Sequence, residues 1–461
     1  MEAMNGGIGR MIREKEIYKT HSLCPICMKK IDASLVVENN EAFIKKHCTD
    51  HGSFKTRMWK GSIDIEKWMQ RKEKPSIENP STAVELGCPF DCGLCEDHRQ
   101  NTCTALIEVT ENCNLNCRFC FADSKTSKTS EPSIEEIRFQ IRSLMNISGK
   151  CNLQFSGGEP TVREDLDLII KIAREEGFEF IQVNTNGIRI AGDEKYLKGL
   201  KDAGLSSIFL QFDGTEDNIY RELRGKDLFQ TKIKAIENCK KHGVAVILVP
   251  TLVPGVNTHN IGGIIDFALQ YLPEVKGVHF QPVSYFGRVP FIPRDEDRIT
   301  LPELIQAIES QTHGKISKES LKPPSCEHPL CSFNGSYIYD DGKEEIKVKK
   351  SSKCCGKVQD SREGYLGAKN YVSRNWALKE VNNSKCKCDD SAEISSDWDR
   401  ILDSINNKSF SISAMAFQDI WNLDLDRLRE CCIHVVSPEG SLIPFCIYNI
   451  SNRDGKYLYR R

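Results

Sequence analysis

The sequence predicts an α/β fold: a partial (β/α)6 barrel, preceded by a small cysteine ribbon and followed by a cysteine-rich region. Three observations lead there. Between Cys103 and about Pro290, six short apolar segments alternate with segments of helical period. Cysteines fall in short-spaced groups on both sides of that span. The 461 residues suffice for two or three domains at roughly 100–200 residues each.

Taken in order, residues 20–62 carry Cys24-Pro-Ile-Cys27 and Cys48-Thr-Asp-His51-Gly52 and form the ribbon. A helical, Lys-rich stretch follows from Ile63 to Lys74, then a Pro/Asn/Ser connector from Pro75 to Thr82. Residues 83–102 hold Cys88-Pro-Phe-Asp-Cys92-Gly-Leu-Cys95. In the core, residues 103–290, strands are expected over Thr104–Thr110, Asn152–Phe155, Phe180–Thr185, Ser207–Phe212, Val244–Thr251 and Gly277–Val283. Helices are expected over Ile134–Met145, Glu164–Glu176, Lys195–Ala203, Phe229–Lys241 and His259–Gln270. Repeated β-α units imply a parallel sheet with right-handed crossovers. Six units suit a partial, TIM-like barrel better than a full eight-unit one; an open doubly wound sheet is the alternative. Either gathers ligands at the carboxyl ends of its strands. Residues 291–461 carry Cys326, Cys331, Cys354-Cys355, Cys386-Lys-Cys388, Cys431-Cys432 and Cys446 among polar segments. Metals, rather than a large apolar core, are expected to organise this region.

Composition excludes some classes. With 63 basic and 65 acidic residues the chain has no basic excess, so no nucleic-acid partner is expected. No apolar run reaches the ~20 residues that cross a bilayer. Met1 to Thr20 contains Arg10, Arg13 and Lys15 but no apolar stretch of the signal-peptide kind. A cytoplasmic location follows as the expectation. In such a reducing compartment 21 cysteines point to metal binding or catalysis rather than disulfides.

The spacing CxxxCxxC occurs twice, at Cys88/Cys92/Cys95 and at Cys113/Cys117/Cys120. Three thiolates on one tight loop can bind three irons of a cubane and leave the fourth open to a small molecule. Context separates the copies. The second follows an apolar strand, has Phe119 before its last cysteine, and is followed after the next strand by Ser156-Gly157-Gly158-Glu159-Pro160. Glycines let a backbone approach a ligand closely, and a carboxylate accepts hydrogen bonds from an ammonium group. The first copy has no strand before it.

This combination resembles the radical SAM (S-adenosylmethionine) superfamily. The resemblance implies that Cys113, Cys117 and Cys120 hold a [4Fe-4S] cluster, with Phe119 beside it. It also implies that Gly157, Gly158, Glu159 and Pro160 bind SAM at its methionyl amine. Reductive cleavage of SAM would then give a 5′-deoxyadenosyl radical that abstracts hydrogen from an unactivated carbon. The electron would come from a flavodoxin- or ferredoxin-type donor.

Asn184-Thr-Asn-Gly187, Leu210-Gln-Phe-Asp-Gly214 and His279-Phe-Gln-Pro-Val-Ser284 each end a strand. With the rest they resemble the branch that holds the tetraether lipid synthases and the radical SAM (seleno)proteins called TrsS. Cys326-Glu-His-Pro-Leu-Cys331 and the ending from Cys431 to Cys446 look closest to the TrsS group, and the likeness covers nearly the whole chain. Some TrsS-like members carry selenocysteine; this chain has cysteine throughout. The substrate classes implied are a lipid undergoing carbon–carbon coupling, a peptide, or a small metabolite, the TrsS name adding a partner methyltransferase. A non-catalytic iron–sulfur electron-transfer module is the contrasting class. Asn186, Gln211, Asp213 and Gln281 are candidates to line the SAM and substrate pocket, the alternative being that Asn186-Gly187 and Asp213-Gly214 are simply turns. Thr251, Pro254 and Asn257 are candidates for contact with the adenosyl moiety.

The remaining cysteines suggest further centres. Cys24, Cys27, Cys48 and His51 have the spacing of two metal knuckles, a tetrahedral site for one zinc or one iron; tetraether synthases are similar in having a rubredoxin-like iron module at this end. Cys88, Cys92 and Cys95 with a distant fourth cysteine suit an auxiliary [4Fe-4S] cluster. Cys326, Cys331, Cys386, Cys388, Cys432 and Cys446 are candidate ligands for it and for a second. Cys103, Cys151 and Cys239 stand alone and read as small buried hydrophobes. His434 is open between ligand and core residue.

Overall fold

The computed structural model describes residues 14–70, 77, 80–124, 131–340, 342–349, 367, 369–372, 375–378 and 408–460. Residues 386 and 388, expected among the metal ligands, lie outside the described residues, as do 354 and 355.

The amino-terminal module is an antiparallel sheet of β1 (Lys15–Leu23), β2 (Lys30–Glu38), β3 (Glu41–Cys48) and β4 (Gly52–Lys60), in that order. Asn39 and Asn40 join β2 to β3 with φ of 51° and 64°. Asparagine tolerates this left-handed backbone, whose twist suits a two-residue hairpin. Of the helical stretch expected after β4, a short helix spans Ile65–Trp68, started by Asp64, whose carboxylate accepts from the N–H groups of Glu66 and Lys67. Trp68 packs on Trp59 at 5.6 Å and donates its indole N–H to the Pro329 carbonyl at 2.9 Å.

The core strands follow the expected positions: β5 (Thr104–Thr110), β6 (Asn152–Gly157), β7 (Ile181–Thr185), β8 (Ser207–Gln211), β9 (Ala245–Val249), the two-residue β10 (Thr251–Leu252) and β11 (Val275–Pro282). They are parallel and, β10 aside, adjacent in chain order, as right-handed β-α units require. Helices Ile134–Ser148, Leu166–Glu175, Glu194–Asp202, Phe229–Lys241 and Ile261–Gln270 connect them. The first begins with a capping box: Ser133 Oγ accepts from the Glu136 N–H at 3.2 Å, and the Glu136 carboxylate accepts from the Ser133 N–H at 2.7 Å.

Among the described residues, five more strands come from beyond residue 290: β12 (Ser332–Asp340), β13 (Glu345–Val348), β14 (Ser409–Met415), β15 (Ile433–Val436) and β16 (Leu442–Pro444). β14 lies parallel beside β11, and β15 lies parallel beside β5. The parallel order is therefore β14-β11-β9-β8-β7-β6-β5-β15, with β12 and β13 antiparallel at one end and β16 at the other. The sheet is open. The expectation that metals rather than an apolar core organise the carboxyl-terminal region is corrected here: Phe410, Ile412 and Ala414 of β14 are buried in the main core. The period-2 alternation of Ser-Phe-Ser-Ile-Ser-Ala-Met, the mark of a strand, is what places them there.

Alternation also sorts the two faces of the sheet. Leu153, Phe155, Val183, Ile208, Leu210, Val278 and Phe280 pack outward into the main core under the helices. Gln154, Ser156, Asn184, Phe209, Gln211, His279, Gln281 and Ser413 face a cavity of about 1230 Å³ on the other side. Among the described residues no helix is long and apolar enough to cross a membrane.

Asp419 ties the carboxyl-terminal region to the core. Its carboxylate takes a bidentate pair from Arg298 at 2.7 and 3.1 Å and accepts from the Tyr285 N–H at 2.9 Å, all buried. Near β15, His434 is fully buried, with Nε2 3.2 Å from His98 Nε2 and Nδ1 3.1 Å from Thr102 Oγ1. That answers the open reading of His434: it is a core residue. Burial holds His98 down at about 4, and burial together with His98 holds His434 well below the usual histidine range.

Two outcomes follow. Asp419→Ala strands the Arg298 guanidinium in the interior and should lower unfolding free energy by about 3–5 kcal/mol, read from denaturant midpoints. As pH falls from the ordinary histidine value of 6.5 toward 4, the unfolded chain takes up protons that the buried pair refuses. Stability is therefore full above that window and lost within it. His434→Gln should flatten the fall in denaturant midpoint across the window.

Candidate active site

The site is built at the carboxyl ends of β5 and β6. Gly157 has φ of 125°, and a Cβ there would collide with the Thr110 carbonyl. A Cβ on Gly158 would collide with the Asn112 carbonyl. Room for both comes from having no side chain, and two backbone bonds fill it: Gly158 N–H to Thr110 O at 2.7 Å and Glu159 N–H to Asn112 O at 2.8 Å. Both glycines also line the cavity, and the room they leave admits the backbone leading into the cysteine loop.

That loop carries Cys113, Cys117, Phe119 and Cys120, and all four line the cavity, as do Gly157, Gly158 and Glu159. Its far end is pinned by the reciprocal pair Cys120 N–H to Arg288 O at 3.1 Å and Arg288 N–H to Cys120 O at 3.0 Å. Phe119 is held edge-on against Tyr285 and Phe291 at 6.1 and 6.3 Å. Burial pushes the Cys113 thiol up to about 12, so a bound metal would have to drive its ionisation.

Glu159 points inward. One oxygen accepts from the Thr161 N–H, the Thr161 hydroxyl and the Thr185 hydroxyl at 3.1, 2.6 and 2.7 Å; the other accepts from the Asn186 N–H at 2.6 Å. Pro160 opens the 3₁₀ turn Pro160–Val162 and does not line the cavity. Asn186 satisfies both readings at once. It turns the chain, its Oδ1 accepting from the Ile188 N–H at 3.0 Å, and its amide clasps Asn114 of the cysteine loop at 2.7 Å while facing the cavity.

Gln211, Gln281 and Thr251 line the cavity, whereas Asp213 and Asn257 do not. Asp213, fully buried, is held by Arg224 through two bonds of 2.7 Å and accepts from the Thr251 N–H at 3.2 Å. Asn257 spans the same turn, accepting from Val253 N–H at 2.8 Å and donating to the carbonyls of Asp213 and Thr251. The pocket reading of Asp213 is thereby corrected; its carboxylate is consumed by Arg224, which itself reaches the cavity and donates toward Cys117. Sequence reasoning missed Arg224, because nothing in a helix of eight residues marks which arginine points inward.

Other missed residues, Phe209, His279 and Trp376, also line the cavity. They pack together with ring centres 5.4 to 5.8 Å apart, and His279 Nδ1 lies 2.9 Å from Ser413 Oγ. Burial holds His279 down at about 4, so it is neutral at physiological pH. Asn184 Oδ1 and Gln211 Oε1 are buried on this cavity without a hydrogen-bond partner. Two orphaned acceptors facing one cavity suit a ligand that brings N–H or O–H groups.

Among the described residues, two groups of metal-binding side chains bring their ligand atoms within 4.8 Å of one another. One is the ribbon set. Cys24 and Cys48 Sγ lie 3.6 and 3.5 Å from His51 Nδ1, and Cys27 Sγ lies 3.9 Å from Cys48 Sγ. A tetrahedral ion with bonds of ~2.3 Å to sulfur and ~2.0–2.1 Å to nitrogen spaces such atoms at about 3.6 and 3.8 Å. The other group is Cys103, Cys326 and Cys432. Cys103, expected to be an isolated hydrophobe, sits with its Sγ 3.1 Å from that of Cys432. Cys151 and Cys239 are buried outside both groups.

Cys113/Cys117/Cys120 and Cys88/Cys92/Cys95 do not converge in this way, a spread that suits one iron per thiolate. Cys88 is pushed up to about 11 by burial, and Cys92 donates its N–H to the Tyr459 hydroxyl at 3.0 Å. Cys331, Cys431 and Cys446 form another neighbourhood: burial raises Cys431, and the nearby Cys446 and Cys331 raise it further. The neighbours Cys431 and Cys432 thus belong to different groups, and so do Cys326 and Cys331.

A model of the radical SAM superfamily matches residues 107–268, and one of the HMPTM N-terminal zinc ribbon domain matches residues 16–60. The 7,8-dihydro-6-hydroxymethylpterin dimethyltransferase of Methanocaldococcus jannaschii is 40% identical over an alignment covering 94% of each chain. The Fe-coproporphyrin III synthase of Methanosarcina barkeri is 31% identical over 44% of this chain and 48% of its own. The crystal structure of Streptococcus suis SuiB bound to S-adenosylmethionine is 16% identical, covering 47% of this chain and 48% of that one with a TM-score of 0.39. The relative matched end to end is thus a pterin dimethyltransferase rather than a TrsS protein or a tetraether lipid synthase. The chain is a radical SAM enzyme and belongs to the family of the 7,8-dihydro-6-hydroxymethylpterin dimethyltransferase.

Proposed function

We propose that this enzyme methylates a pterin or a closely similar flat heteroaromatic substrate. A 5′-deoxyadenosyl radical drawn from one SAM takes a hydrogen atom from the substrate carbon. The carbon radical takes the methyl group of a second SAM, which leaves as S-adenosylhomocysteine after one further electron from the donor. The observation that carries the reading is one cavity, about 1230 Å³, lined both by the cysteine loop and by the aromatic and amide side chains of Phe209, Trp376, Asn184 and Gln211. Sites for single drug-sized ligands fill roughly 300–1,000 Å³, so this one has room for SAM and a second molecule. The end-to-end likeness to a pterin dimethyltransferase supports the substrate class.

Cys113, Cys117 and Cys120 would hold the [4Fe-4S] cluster, which with SAM supplies the electron and the 5′-deoxyadenosyl radical. The rest falls to this chain's own residues. Glu159, through Thr185 and Asn186, keeps the SAM-side wall rigid. Phe209 and Trp376 offer ring faces for a flat substrate. The carbonyl oxygens of Asn184 and Gln211 accept from its ring N–H groups, and neutral His279 adds no charge to this wall. Auxiliary clusters at Cys88/Cys92/Cys95 and at Cys331/Cys431/Cys446 would relay electrons, and the ribbon set would hold zinc. A reducing, cytoplasmic setting and a flavodoxin- or ferredoxin-type donor complete the reading. The resemblance to TrsS proteins and tetraether synthases supports the shared plan of ribbon, core and cysteine-rich ending.

Two experiments check it. The anaerobically reconstituted enzyme with SAM, dithionite and 7,8-dihydro-6-hydroxymethylpterin should form 5′-deoxyadenosine and a methylated pterin, both lost in Cys113→Ala. 5′-Deoxyadenosine without any methylated pterin would leave the radical chemistry standing and remove the substrate assignment. Gly158→Ala must push the cysteine loop off the end of β6. It should slow 5′-deoxyadenosine formation by about 10²-fold or more while leaving the ribbon's metal bound.

A further inference from the structure

We propose that Cys103, Cys326 and Cys432 bind one thiophilic divalent ion, zinc or ferrous iron, in the wall of the substrate cavity. The ion would be separate from both the ribbon's metal and the iron–sulfur clusters. The three thiols converge from distant parts of the chain: Cys103 immediately before β5, Cys326 in the loop before β12 and Cys432 immediately before β15. All three are buried, with 7%, 2% and 2% of their surface exposed.

Their placement is built into the backbone. Cys103 donates its N–H to the Cys432 carbonyl at 2.9 Å and accepts from the Asn152 N–H at 3.0 Å, while Gln100 fixes the Cys326 carbonyl at 2.9 Å. β15 joins β5 with Ile433 opposite Thr104, so the residues just before each strand are side by side by register.

Convergence decides the kind of metal. A cubane takes one thiolate per iron and spreads its ligands. Cys113, Cys117 and Cys120 are spread in that sense, and Cys103, Cys326 and Cys432 are not: they gather within 4.8 Å as the ribbon's ligands do. The Cys103–Cys432 separation of 3.1 Å is shorter than the about 3.8 Å of two thiolates on a tetrahedral ion. Binding would therefore move these two sulfurs apart by about 0.7 Å. Soft thiolates select zinc or ferrous iron over magnesium or calcium.

Three protein thiolates leave a tetrahedral ion one position, and sites of that kind are the ones that bind water or substrate. Here that position faces the cavity, because Cys103, Cys326 and Cys432 all line it. Glu327 is a positioning residue. One carboxylate oxygen is held by Ser332 Oγ, and the other lies 3.7 Å from Cys432 Sγ. The ion would stand in the same cavity as Cys113, Cys117 and Cys120, where it can take a nitrogen, oxygen or sulfur atom of the second substrate.

The test is a metal and acid-labile sulfide count on the full-length, anaerobically purified protein. Compared with wild type, Cys103→Ser and Cys432→Ser should each lose one zinc or one iron per chain with sulfide unchanged. In a ribbon-less variant, Cys24→Ser with Cys27→Ser, one mononuclear ion should remain: either one zinc per chain with about three sulfur neighbours in its extended X-ray absorption fine structure, or one iron per chain in excess of acid-labile sulfide. That second arm does not depend on the cavity variants folding. Loss of iron and sulfide together in Cys103→Ser would overturn the proposal in favour of a cluster ligand. No ion in the ribbon-less variant, or a Cys103–Cys432 disulfide found by peptide mapping under reducing purification, would also overturn it. None of these counts depends on which substrate is methylated, so the pterin assignment can fail while this site stands.

Discussion

The backbone of Gly157 and Gly158 lies so close to Thr110 and Asn112 that no side chain fits between them, and the geometry of the active site descends from that contact. It fixes the cysteine loop to the end of β6. From there Glu159 reaches back with its carboxylate to Thr185 and the Asn186 N–H, and Asn186 in turn clasps Asn114. Three consecutive strand ends are thereby locked around Cys113, Cys117 and Cys120. A Glu159 buried and bonded four ways is a positioning group before it is anything else.

The sheet supports this by turning its alternation inside out. Its apolar residues face the helices, and its polar residues face the cavity, where a closed eight-unit barrel would be filled with branched apolar side chains. Two buried ion pairs brace the surrounding turns. Asp213–Arg224 and Asp419–Arg298 are both bidentate and both buried. They hold the turn after β8 and the carboxyl-terminal region in place around the space that the inner face leaves open.

The cysteines divide by geometry into two kinds of site. Convergent sets, in the ribbon and at Cys103/Cys326/Cys432, match the reach of a single ion. Spread sets match a cluster. This division cuts across the sequence: Cys432 converges with Cys103 and Cys326 whereas adjacent Cys431 does not, and Cys103 meets partners more than two hundred residues away. Spacing along the chain brings out the convergence of Cys24, Cys27, Cys48 and His51, which two turns of one sheet supply, but not that of Cys103, Cys326 and Cys432.

Local pattern was enough for much of this protein. Short apolar segments bounded by turn residues and intervening helical periods located the core strands, and CxxxCxxC after β5 with Gly-Gly-Glu-Pro after β6 marked the radical SAM resemblance. Each signal is contained in a few neighbouring residues. What the chain alone did not reveal depends on contacts between segments far apart in sequence. β14 and β15 were overlooked because short strands in a polar stretch announce themselves weakly until a neighbour pairs with them. Asp213 read as a ligand-facing residue because its turn is visible in sequence and Arg224's approach is not. Cys103 read as a lone hydrophobe because its two partners reach it only through the register of β15 on β5. A residue's type and its strand face are local properties, legible in the sequence; whom its side chain meets is set by packing, and that only the tertiary structure decided.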